Sequence, residues 1–381
     1  MKKKVAIIDS LGAHGSSHHF YLFGQIRGLV DNGVKVALYT NSITPNPNIK
    51  SVCFYQFFGN LYSSKFLLIR GVKYIFGLLA SIFHARFSGC NIFHFHLFES
   101  NFVVLLKIML VKLLFAKVVL TIHDVVSFAN TKNNIFLNNQ IYKFADLILT
   151  HNLFSSKEIL KISPLVKGKI FIIPHGNYIP FITVDNDQEK ARDYLDIDRS
   201  KKVLLFFGMI KKVKGLDLLL NAFSRIIKRH SDIVLLIAGK SWKNDFSHYK
   251  KIIDKYNLSQ HIILHNNFIP HNDVKYYYSA ADLVVLPYKK IYQSGVLMMT
   301  LSYQKPALVS DLDPLSEIIK DGINGFVFKS EDQDSLFNKL DNIFSEKYDM
   351  KQINLNANLK IKNEFDWTNI GRLTKKAYQS L

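Results

Sequence analysis

Short apolar runs that stop at a polar or glycine turn and then give way to an amphipathic helix pattern recur along this chain. They restrict it to a layered α/β fold. Val5-Ala6-Ile7-Ile8 is followed by a loop, a helix pattern from His19 to Asn32, and a second run, Val34 to Tyr39, that opens after Gly33. Runs this uniformly apolar are buried on both faces, which favours a parallel sheet built from βαβ units. Ile92 to Phe95, Val118 to Ile122, Leu147 to Thr150 and Ile170 to Ile173 continue the series, the last ended by Pro174-His175-Gly176. A second series consists of Val203 to Phe207, Val234 to Ala238, Ile262 to Leu264, Leu283 to Leu286, Ala307 to Val309 and Gly325 to Phe328. The expected organisation is an α/β protein of two Rossmann-like, doubly wound domains over 1–180 and 201–365. The polar segment 181–200 reads as the linker, and the final helix, within 366–381, packs back toward the first domain. A chain of 381 residues, 48% hydrophobic, can support two such cores.

The formal net charge of +19 calls for an anionic partner. Between Asp31 and Asp124 the one acid is Glu99, against nine lysines and arginines. Several of these cations lie inside apolar helical runs, Phe66 to Phe83 and Phe102 to Phe115, as in helices that lie on a membrane surface. The longest apolar stretch, Phe102 to Leu120, is interrupted by Lys107, Lys112 and Lys117 and makes a poor spanning helix. Lys2-Lys3-Lys4 is followed by only four apolar residues before Asp9, too few for a signal sequence. Cys53 and Cys90 form no metal or disulfide pattern, so the expected setting is cytoplasmic, against the inner face of the membrane. No basic recognition helix or aromatic sheet motif speaks for nucleic acid.

Two strand-to-helix turns carry the chemistry. Gly208, Lys211, Lys214 and Gly215 follow one apolar run directly before the helix pattern Leu216, Leu219, Leu220, Phe223. Gln293-Ser294-Gly295 opens another helix, where backbone N–H groups are available to an anion. A cationic turn beside an N–H-rich turn suits a diphosphate.

In order and spacing these motifs resemble the retaining family 4 glycosyltransferases of the GT-B architecture. The resemblance rests on the Gly12-Ala13-His14-Gly15-Ser16-Ser17 loop, Phe93-His94-Phe95-His96, Thr121-Ile122-His123-Asp124 and Ala145-Asp146. It continues through Ile173-Pro174-His175-Gly176, Phe207-Gly208, Lys214-Gly215, Ala280-Ala281-Asp282, Lys305-Pro306, Glu317 and Asn324-Gly325. It implies two domains facing across a cleft and a nucleotide-diphosphate sugar as donor, with no separate cofactor. The acceptor would be a saccharide, free or lipid-linked, in bacterial surface-polysaccharide synthesis. His123 would stand beside the reacting sugar, Lys211 and Lys214 would neutralise the diphosphate, and Gly15, Ser16, Gly208, Ser294 and Gly295 would approach it by backbone. Glu317 would accept sugar or ribose hydroxyls, or else complement a helix start. The family's Glu-x7-Glu motif is missing: the corresponding pairs are Ile291 and Met299, or Tyr292 and Thr300. Met209 replaces its usual arginine. That departure motivates a rival reading as a catalytically degenerate scaffold, and another GT-B-type enzyme, an epimerase or phosphorylase, is a further one.

No metal is expected. His94 and His96 alternate on a strand without a third ligand nearby, so packing or acceptor contact is the reading for them. Asp196-Ile197-Asp198 and Asp311-Leu312-Asp313 imitate a metal-binding Asp-x-Asp but fall in the linker and in a post-strand turn. His18 and His19 read either as acceptor-phosphate contacts or as exposed helix-start residues.

Overall fold

The computed structural model describes residues 4–14, 17–126, 134–184 and 187–381. The chain divides into two compact units, Met1–Gly176 with Phe365–Leu381, and Asn177–Glu364. In the first, seven strands pair in the order β3-β2-β1-β4-β5-β6-β7. They are β1 Lys4–Ile8, β2 Lys35–Tyr39, β3 Cys53–Tyr55, β4 Ile92–Leu97, β5 Lys117–Ile122, β6 Leu147–Thr150 and β7 Ile170–Ile172. Every pairing is parallel. The second unit orders its strands β10-β9-β8-β11-β12-β13, also all parallel. These are β8 Lys202–Phe207, β9 Ile233–Ala238, β10 Ile262–His265, β11 Leu283–Leu286, β12 Ala307–Ser310 and β13 Phe326–Phe328. Val5, Ala6, Phe93, Val118, Leu204, Leu235 and Val284 have no more than 1% of their surface exposed, as both-face burial requires. The order reverses direction at β1/β4 and again at β8/β11, the places where open α/β sheets leave a crevice at their carboxyl ends.

One expectation needs correction, and two stretches gain detail. The segment 181–200 is not a linker: Gln188–Tyr194 is a helix capped by Asp187, and Ala191, Leu195 and Ile197 are buried in the second unit. Its polar face is tied into the second unit, since Asp282 accepts from Arg192 Nη2 at 2.8 Å, Gln188 Nε2 at 3.0 Å and the Val203 amide at 2.6 Å. The apolar stretch from Phe102 to Leu120 divides between a helix and a strand. The helix ends at Leu113, Phe115 turns the chain at φ +54°, and β5 begins at Lys117. The helix long and apolar enough to cross a membrane, one among the described residues, is Leu67–Phe87, with 22% of its apolar window buried. β3 is a further edge strand, three half-buried residues too short to stand out in the sequence.

The last helix, Trp367–Gln379, belongs to the first unit and lies on the His18–Asp31 helix. Glycines permit the contact: a Cβ on Gly371 would fall 2.0 Å from the Gly28 carbonyl oxygen. Trp367 fills a slot lined by Gly24 and Gly176, where added Cβ atoms would meet its ring at 2.1 and 2.3 Å.

Candidate active site

In the second unit β8 gives way to Gly208, whose φ of +104° admits glycine readily, and the chain then forms the Lys212–Lys214 turn and the Leu216–Ile226 helix. Gly215, at φ +69°, presses so closely on the end of β11 that a Cβ would sit 1.8 Å from the Pro287 carbonyl oxygen. That approach carries Lys214 Nζ to 3.7 Å above the Tyr288 ring. Tyr288 is buried, and burial raises its hydroxyl far above the usual phenol range. Ser294 caps the Gly295–Ser302 helix, its Oγ accepting from the Leu297 amide at 3.1 Å. A Cβ on Gly208 would lie 3.2 Å from Val296 in this helix. Gly208, Lys214, Ser294 and Gly295 therefore gather at the switch point between β8 and β11.

Lys211 lies on the other flank. Its Nζ stands 4.4 Å over the Trp242 ring, beside the loop after β9, where the Trp242 amide donates to the Ile210 carbonyl at 2.9 Å. Glu317 is exposed and follows the C-terminal end of the one-turn Asp313–Ser316 helix, its amide donating to the Asp313 carbonyl at 2.9 Å. It is not at a helix start, which removes its reading as a dipole complement. Asp311 accepts the Ser330 amide and Asp198 the Ser200 amide, so both Asp-x-Asp sequences serve turns. Among the described residues no three His, Cys, Asp or Glu side chains are placed to hold a metal ion. Gly15 and Ser16 lie outside the described residues.

In the first unit the carboxyl ends of β4 to β7 bring four histidines into a buried row. His96 Nδ1 meets His123 Nε2 at 3.0 Å, His123 Nδ1 meets His151 Nε2 at 3.4 Å, and His151 Nδ1 meets the Ile173 carbonyl at 3.0 Å. Tyr21 packs edge-on against His96, His123 and His151 and tilts against His175. A nitrogen facing a carbonyl must carry the proton, which fixes the row when all three rings are neutral. His151 Nδ1–H donates to Ile173, His123 Nδ1–H to His151, and His96 Nδ1–H to His123. His96 Nε2 is then an acceptor, 3.2 Å from the Gln25 side-chain amide, whose NH2 group must turn toward it. Burial, reinforced by the neighbouring imidazoles, holds His96 and His123 well below the ordinary histidine range.

His123 thus turns both ring nitrogens to other imidazoles and stacks under Phe98 at 4.4 Å. A donor sugar reaches either nitrogen only by exchanging one of those hydrogen bonds. His94 is a core residue, bridging Thr121 at 2.7 Å and the Tyr378 hydroxyl at 2.6 Å. His18 and His19 are buried, not exposed. His18 Nε2 meets Asp9 Oδ2 at 3.0 Å, and the Gly12 amide donates to Asp9 Oδ1 at 2.6 Å. Burial raises the Asp9 pKa, but His18 and the Gly12 N–H outweigh it and hold the carboxyl below its ordinary range. His151, Tyr21 and Asp9 were not singled out from sequence. The available signal was position, since Asp9 and His151 are each the first residue past an apolar strand.

Two all-parallel Rossmann-like units of this strand order make up the GT-B fold. Residues 187–360 match the family described as Glycosyl transferases group 1. The second unit carries that group 1 glycosyltransferase domain. It is similar to the lipopolysaccharide 1,2-N-acetylglucosaminetransferase of Salmonella typhimurium, 26% identical over 216 residues, 55% of this chain and 56% of that protein. Matches to two other curated relatives span 68% and 59% of their lengths. Sucrose-phosphate synthase from Thermosynechococcus elongatus superposes with a TM-score of 0.78 at 16% identity, covering 99% of this chain and 98% of that one. Anabaena Alr3699/HepE in complex with UDP superposes at 0.76 and 15% identity over the whole of both chains.

Proposed function

We propose that this enzyme transfers a sugar, with retention, from a nucleotide-diphosphate donor to a saccharide acceptor, free or lipid-linked, in bacterial surface-polysaccharide synthesis at the inner face of the membrane. The observation that carries the donor half is the meeting of the Gly208–Lys214 turn with the Ser294-capped helix start at the β8/β11 switch point. The UDP complex of the Anabaena neighbour and the saccharide chemistry named for the Salmonella relative support the same reading.

In this mechanism the bond from the anomeric carbon to the diphosphate oxygen breaks and its electron pair stays with the diphosphate. Lys214, Lys211 and the helix-start N–H groups stabilise the charge that develops there, the largest single contribution such a site makes. The acceptor hydroxyl adds to the anomeric carbon on the leaving-group face and passes its proton to the departing phosphate oxygen. Because two lysines supply the charge, the proposal expects no essential metal. With Ile291, Met299, Tyr292 and Thr300 where the family has its paired glutamates, sugar and ribose hydroxyls must be read by other groups.

The test is binding and slow hydrolysis of a panel of nucleotide-diphosphate sugars, with and without chelator. One donor should bind and turn over in chelator, and Lys214→Ala should lower turnover roughly a hundredfold. A folded protein that binds no donor refutes the proposal and favours the scaffold reading.

A further inference from the structure

Deepening the membrane part of that proposal, we infer that the exposed apolar face of the Leu67–Phe87 and Phe102–Leu113 helices is a docking surface for an anionic lipid bilayer, with the first helix lying along the surface rather than crossing it.

The two helices share one side of the first sheet. The connections β3 to β4 and β4 to β5 step the same way along the strand order, so right-handed crossovers place both on one face. Arg86 Nε, near the end of the first helix, donates to the Leu114 carbonyl just past the second at 2.9 Å and ties them together. Outward from this pair stand Leu68 at 85% exposure, Phe76 at 76% and Phe115 at 94%, with Phe66, Phe102 and Leu113 beside them. A surface of large apolar side chains on this scale marks an interaction site.

The inward face of the first helix is already committed. Gly77, Leu78, Ser81, Ile82 and Ala85 are buried, and a Cβ on Gly77 would lie 2.8 Å from Phe58 Cα. Crossing a bilayer would tear this face from the fold and carry Arg70 and Lys73, in its first two turns, into hydrocarbon. Lying flat keeps the packing and immerses the outward face alone.

Charge selects the occupant. Lys107 is turned inward over Phe95, and Lys112 and Lys117 pair with Asp146. Lys65, Arg70, Lys73 and Arg86 form no ion pair among the described residues, and Glu99 is the one acid between Asp31 and Asp124. A second copy docked on this face would bring like charges together, whereas an anionic lipid surface attracts each such cation by roughly fivefold in affinity.

The full chain is to be sedimented with vesicles of phosphatidylcholine alone and of phosphatidylcholine with phosphatidylglycerol. Wild type should bind the anionic vesicles at least roughly tenfold more tightly and come off in high salt. Leu68→Asp with Phe76→Asp should abolish binding to both. Lys65→Glu, Arg70→Glu and Lys73→Glu together should cost on the order of a hundredfold on anionic vesicles alone. Far-UV circular dichroism and Trp367 fluorescence report whether each variant is folded, and donor binding is measured on the same samples. Vesicle binding without donor binding leaves this surface standing and removes only the transferase proposal. Indifference of the wild type to lipid, or a dimer broken by the aspartates in protein that ignores vesicles, overturns the inference. Retention through alkaline extraction overturns the flat orientation.

Discussion

Acid should unfold the first unit before the second, because His94, His151 and His175 are buried in their neutral form. Burial lowers His94 from 6.5 to about 3 and His151 to about 4, and burial with His151 nearby lowers His175 to about 3. In the unfolded chain each titrates near its ordinary value. The unfolded state therefore binds more protons below pH 6.5, and stability that is complete above that value drains away as pH falls toward the folded pKa values. At about pH 5 each imidazole costs about 2 kcal/mol relative to about pH 8. Three of them remove about 6 kcal/mol, the order of a whole domain's stability. His96 and His123, held well below the ordinary range, add in the same direction. In the second unit burial lowers His271, a half-buried ring, and the larger loss over the same interval is expected in the first unit.

The chain contains two tryptophans, one in each unit: buried Trp367 in the first and Trp242, 43% exposed, in the second. Trp242→Phe makes fluorescence a reporter of the first unit, and Trp367→Phe of the second. Urea melts from about pH 8 to about pH 5 should show the Trp367 midpoint collapsing while the Trp242 midpoint moves little. His151→Leu should shrink the pH dependence of the first transition by about 2 kcal/mol. A Trp367 midpoint that stays constant over this range refutes the reasoning.

Three further outcomes separate packing from strain and charge. Gly371→Ala should destabilise the first unit by several kcal/mol, since its Cβ would overlap the Gly28 carbonyl, whereas Gly71→Ala, open to solvent inside a helix, should stabilise by about 0.5–1 kcal/mol. Thermal melts of the two variants decide it. Asp282→Ala should cost the second unit roughly 3 kcal/mol, because buried Arg192 loses its carboxylate and the Val203 amide loses its acceptor; urea melts followed at Trp242 measure it. Chelator should leave donor turnover unchanged, and recovery only with added manganese would refute the proposed charge stabilisation by Lys211 and Lys214.

What the sequence revealed and what it hid have the same physical root. A run such as Leu204-Leu205-Phe206-Phe207-Gly208 declares a buried parallel strand, because both of its faces are apolar and its end is abrupt, and the turn chemistry after it is equally local. The helix Gln188–Tyr194 was hidden because its charges look solvated until Asp282, some 90 residues on, is brought against Arg192 and Gln188. Asp9 likewise shelters His18, which sequence alone leaves at a helix start. The histidine row is the most instructive case. No local pattern links His96, His123, His151 and His175, yet each stands at or just past the end of an apolar run. Once β4, β5, β6 and β7 are neighbours in that order, the ring centres fall 5.3, 5.0 and 5.6 Å apart. Adjacent strands are spaced about 4.8 Å apart. The sheet thus sets the pitch of the row, and side chains at equivalent strand ends come within hydrogen-bond reach although the motifs that hold His96, His123 and His175 lie far apart in the chain and His151 stands in none.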